Sequence, residues 1–83
     1  MIGLCEHPAS LCLDEFGNVL IFDRAGARVS QFSRTYFEKI CDVALVNRAY
    51  CLLSAYQGVL AIISKSANEL TLHRYQPKVD YIF

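Results

Sequence analysis

Along the chain, apolar positions come in short runs, in pairs and in one long stretch. Ser10 to Asp14 and Val19 to Phe22 are apolar runs flanking Glu15-Phe16-Gly17-Asn18. They predict strand, turn, strand, because glycine and asparagine tolerate positive φ. Asp23 to Gly26 repeats the Asp-x-x-Gly spacing of Asp14 to Gly17, and Ala27 to Phe32 then alternates as a half-exposed strand does. The principal hairpin can lie at either turn, and a three-strand meander satisfies both.

From Ser33 to Gln57 the chain carries neither glycine nor proline. Tyr36/Phe37, Ile40/Cys41 and Ala44/Leu45 are apolar pairs, with Arg34, Thr35, Glu38, Lys39 and Asp42 between them. That spacing predicts an amphipathic helix, with Ser33 as N-cap and Gly58 at the left-handed C′ position. Its second half is apolar nearly all round, which predicts cover by another chain. Val59 to Ile63, a polar turn from Ser64 to Asn68, Glu69 to Tyr75 and Val79 to Phe83 then read as three strands. Leu70 and Leu72, alternating with Thr71 and His73, predict a sheet with one wet face. The expected fold is therefore α+β, one domain over 1–83 with 1–9 as a lead-in. An antiparallel sheet of about five strands carries one long helix on one face, in the order β-β-α-β-β-β.

Composition adds a reason for association. In 83 residues, 54% are hydrophobic and 19% charged, more apolar content than one small core needs. Eight basic and eight acidic residues cancel, which argues against nucleic acid as partner, since it needs a basic face. No apolar run has the length of a membrane span, and Met1 to Ser10 lacks the pattern of a signal peptide. Cytoplasmic location with reduced thiols at Cys5, Cys12, Cys41 and Cys51 is the resulting expectation.

An apolar strand ending in Asp-x-x-Gly, the apolar stretch 33 to 56 and the link Ile63 to Leu70 together resemble the roadblock / dynein light chain family, in particular short members such as the small Ragulator subunits. The usual first helix is short or absent here. The resemblance implies a non-enzymatic adaptor that pairs with itself or with a paralogous subunit and holds a small GTPase or a motor complex. It also implies recruitment to lysosomal or endosomal membrane through partners rather than by insertion. The partner surface expected is Tyr50, Leu53, Tyr56, Val59, Ala61, Ile62 and Ile63, with Val59 to Ile63 as an edge strand open to sheet extension. Tyr36 and Phe37 are assigned to the domain's own core. A competing resemblance covers Pro8 to Asp23 and Arg28 to Phe32, which are similar to one NHL-type β-propeller repeat. A second copy would place strands at 43–46 and 50–53 around Asn47-Arg48, giving a protein-binding module.

Candidate chemistry is sparse. Cys5-Glu6-His7 brings a thiol, a carboxylate and an imidazole together, but no second pair at metal-ligand spacing accompanies it, and no metal is expected. A thiol enzyme using Cys5 or Cys12 is the remaining catalytic alternative. Cys12, Cys41 and Cys51 otherwise read as small buried hydrophobes and His73 as a solvated strand residue. The four glycines form no phosphate-binding loop, so no nucleotide cofactor is expected.

Overall fold

A computed structural model describes residues 5–78. Every regular element in that range is a strand: β1 (Pro8–Leu13), β2 (Val19–Asp23), β3 (Arg28–Phe32), β4 (Lys39–Leu45), β5 (Leu52–Tyr56), β6 (Val59–Ser64) and β7 (Glu69–Arg74). β1 to β4 form one antiparallel meander and β5 to β7 a second, each with its strands side by side in chain order. The strands expected around 10–14, 19–22, 27–32, 59–63 and 69–75 are present within a residue or two. The strand expected at 79–83 lies outside the described residues.

The α+β expectation is corrected: the long helix and the single sheet are both absent from the described residues. Ser33 starts a turn instead, donating its N–H to the Glu38 carbonyl at 2.8 Å. Phe37 adopts φ 54° there and stacks on Phe32 at 5.7 Å. From Lys39 the chain pairs with β3, whose outer backbone groups need partners. Phe32 pairs with Lys39, Gln31 with Cys41, Ser30 with Asp42 and Val29 with Ala44, so the ladder skips Ile40 and Val43. Those two register shifts break the period of two and space the apolar residues as a helix would. Gln57 and Gly58, with φ 49° and 76°, are the two-residue turn of the β5–β6 hairpin rather than a helix end. The structure likewise shifts the strands of the repeat reading, from 43–46 and 50–53 to β4 and β5.

Both Asp-x-x-Gly turns form. The Asp14 carboxylate accepts the N–H groups of Phe16 at 2.9 Å and Asn18 at 2.8 Å. That of Asp23 accepts those of His7 at 3.0 Å and Ala25 at 3.1 Å. These are turns locked by a side chain.

The two sheets repeat each other. Moving 41 positions on from β2 and β3 reaches β6 and β7, and the intervening turns match. Ala27 and Asn68 both sit at φ 51°, and their N–H groups bond to Arg24 and Lys65 respectively. The β1–β2 turn and the shorter β5–β6 turn differ in length, so β1 and β5 superpose 42 positions apart: Ser10, Leu11, Cys12 and Leu13 correspond to Leu52, Leu53, Ser54 and Ala55. Each sheet then has a front and a back. The front of the first, with Leu20, Phe22, Val29 and Ala44, packs on the back of the second, with Leu60 and Ile62, and together with Val46 and Cys51 these are the main core. A smaller cluster of Val19, Ile21 and Phe32 lies on the first sheet's back under Cys5 and Phe37.

Candidate protein-binding surfaces

The junction between the sheets is stapled by polar contacts. Asn18, 3% exposed, donates through Nδ2 to Asp14 Oδ2 (2.8 Å) and to the Lys78 carbonyl (2.9 Å). Its Oδ1 accepts from Gln31 Nε2 (2.9 Å) and from the Lys78 N–H (3.1 Å). Gln31 Nε2 also reaches the Gln76 carbonyl at 3.1 Å, and the Tyr75 hydroxyl donates to Asp14 Oδ2 at 2.7 Å. This clasp ties segment 75–78, which follows the second sheet, to the first. Burial, with the bond to Asp14, holds the Tyr75 phenol far above its ordinary pKa. Glu15 accepts the Gln57 N–H at 2.8 Å, and Arg48 pairs with Glu69 at 3.1 Å. Asp14, Asn18, Gln31 and Tyr75 are thus bound to one another.

The thiols lie apart and free. Burial is the largest cause raising the Cys5, Cys12 and Cys51 pKa values, with Cys12 pushed up to about 11. A nucleophilic cysteine needs the opposite direction. Cys41 is exposed, not buried as its residue type suggests, and its thiol contacts Gln31 Oε1 at 3.4 Å. The Cys5-Glu6-His7 stretch lies against the second turn; a polar cavity of about 360 Å³ there is lined by Cys5, Glu6, Asp23, Arg28, Ser30 and Lys39, among others. No group of three metal-ligating side chains occurs among the described residues.

What the molecule presents outward is apolar. The front of the second sheet carries Leu52, Tyr56, Ile63, Leu70 and Leu72, all exposed, around Val59 and Ala61. An apolar cavity of about 360 Å³ at its edge is lined by Tyr50, Cys51, Leu52, Ile63, Lys65 and Ser66. On the back of the first sheet Leu11 and Leu13 are exposed.

The surface expected from sequence is divided by this geometry. Tyr56, Val59, Ala61 and Ile63 share the front of the second sheet. Leu53 and Ile62 pair with each other on its back and pack into the core. Tyr50 precedes β5, exposed, with the Arg24 guanidinium 5.4 Å from its ring centre. Val59 to Ile63 is not an edge: β6 is paired on both sides, by β5 and β7. Tyr36 is exposed rather than in the core, while Phe37 is half-buried. The wet face of β7 is reversed as well. Thr71 and His73 are half-buried beside Ile62 and Leu60, joined by a 3.0 Å contact, and Leu70 and Leu72 face out. Leu11, Leu13, Leu52, Leu70 and Leu72 were missed as surface residues. Their alternation was visible, but which face each row takes is set by the neighbouring strand.

The fold and its surfaces define a class: an all-β module of two stacked meander sheets with apolar outer faces. No family model matches the chain, and neither a curated protein nor a solved structure matches it.

Proposed function

We propose that this chain is a non-enzymatic protein-binding module of two propeller-type blades, acting as a scaffold or adaptor element. The observation that carries the reading is the open front of the second sheet, where Leu52, Tyr56, Ile63, Leu70 and Leu72 face solvent side by side. A contiguous apolar face of this kind marks an interaction surface. A four-stranded meander stacked on a second meander is the construction of β-propeller blades, which favours the NHL-type resemblance. The roadblock-type resemblance rested on a helix over 33–56 that gives way to β4, β5 and their connections. The raised thiol pKa values speak against the thiol-enzyme alternative.

A photoreactive phenylalanine analogue at Leu72, with a control at exposed Asn47, tests the reading in cell extract. Discrete protein adducts from position 72 and none from position 47 are expected. Equal labelling at both positions refutes a binding role for this face.

A further inference from the structure

We infer that the partner of this face is a second copy of the chain, stacked head to tail: the front of the second sheet receives the back of the first sheet of another molecule. This deepens the binding-module reading and rests on it.

The internal repeat points to this partner. The internal junction already shows one front meeting one back, so the molecule contains a worked example of the contact. Val29, Phe22 and Gln31 on the covered front are 0% exposed. Their counterparts 41 positions on, Leu70, Ile63 and Leu72, are 62%, 39% and 66% exposed. On the backs the relation is reversed. Leu53 and Ala55 pack against the main core, whereas their counterparts Leu11 and Leu13 are open. One molecule thus carries one open front and a back that is open along β1, at Leu11 and Leu13, while Val19, Ile21 and Phe32 on the rest of that back are covered by Cys5 and Phe37. A front-to-front dimer would leave Leu11 and Leu13 in water, whereas head-to-tail stacking covers both sets. The contact is heterologous, so it propagates until a ring closes. Zero formal net charge removes long-range repulsion between copies. Three strands at the usual spacing make a face about 14 Å wide, small for an interface between free proteins, so association is concentration-dependent and strengthened where a ring gives every copy two contacts.

Analytical ultracentrifugation of the full chain, from low to high micromolar, provides the test. The variants are Leu72→Asp, which charges the front, and Leu11→Asp, which charges the back. Both positions are mostly exposed, and circular dichroism checks that the strands persist. The wild type is expected to sediment above one chain mass of 9.4 kDa, and each variant alone as a monomer. An equimolar mixture is expected to form a heterodimer and nothing larger, because Leu72→Asp keeps a free back and Leu11→Asp a free front. A monomeric wild type at high micromolar overturns the inference, as does a Leu11→Asp protein that associates like the wild type. Crosslinks from position 72 to a different protein, with a monomeric wild type, overturn self-stacking and leave the binding-module reading standing. Absence of crosslinks from that position overturns both.

Discussion

Replacing Asn18 by alanine tests whether the polar clasp holds the sheets together. The substitution removes four side-chain hydrogen bonds, at 2.8, 2.9, 2.9 and 3.1 Å. Gln31 Nε2 keeps the Gln76 carbonyl, and Asp14 keeps the Tyr75 hydroxyl and its turn N–H groups, so those two lose only part of their satisfaction. The Lys78 N–H and carbonyl lose Asn18 altogether, but water can reach them. An unpaired buried group costs about 1–3 kcal/mol. With two groups near the low end and two partial losses, the expected destabilisation is about 3 kcal/mol. A chain of this size has roughly 4–12 kcal/mol in total, so the loss is a large share. Urea unfolding followed by circular dichroism would show it. With a slope of about 1 kcal/mol per molar, the midpoint should fall by about 3 M. The Leu72→Asp background at low micromolar keeps self-association out of the equilibrium. Asn18→Asp should be worse than Asn18→Ala at neutral pH, since it sets an acceptor against Asp14 Oδ2, and should recover partly below about pH 4. A loss under about 1 kcal/mol for Asn18→Ala would refute the clasp as a main support of the junction.

Three further substitutions probe the β5–β6 hairpin and the thiols. Gly58→Ala places a Cβ 3.1 Å from the Tyr75 carbonyl at φ 76°, and should cost about 1–2 kcal/mol by urea unfolding, whereas Gln57→Asn, at φ 49°, should be neutral or slightly stabilising. Burial first and Asp14 second push Cys12 up from 9.0 to about 11. The folded state therefore holds this proton more tightly than the unfolded chain. The stability it contributes is full below pH 9 and is lost as pH rises from 9 through 11. Discounted for a half-exposed thiol, the loss is about 1 kcal/mol, and Cys12→Ser should flatten the fall of the melting temperature over that window.

The strands that were legible in the sequence are those bounded by turn residues. Asp14 to Asn18, Asp23 to Gly26 and Ser64 to Asn68 mark hairpins because their side chains or positive φ angles determine the turn locally. β4 was not legible because its pairing skips Ile40 and Val43, and a strand interrupted twice in seven residues loses its alternation. β5 was hidden by its neighbour: Gln57-Gly58 ends a helix as readily as it turns a hairpin, and only the apolar run on each side favours the hairpin. Of the residues expected at a partner surface, Tyr56, Val59, Ala61 and Ile63 share the outer face of the second sheet. Leu53 and Ile62 turn into the core instead, because alternation separates two faces without saying which is covered. That depends on sheet stacking, which no local signal encodes.

The repeat makes the two junctions unequal in a way that bears on assembly. At the internal junction Gln31 sits on the front and donates to the Gln76 carbonyl, so that apolar packing and the clasp act together. At the outer front the corresponding residue is Leu72, which has no polar atom to offer. Ser10 likewise gives way to Leu52, whereas Cys12 is matched by Ser54. A sheet arriving there gains apolar burial but no counterpart of the Gln31 bond. It is also not tethered by the chain, so it carries the full entropic cost of association. On the proposed stacking, the outer contact is therefore the weaker and more readily reversed of the two.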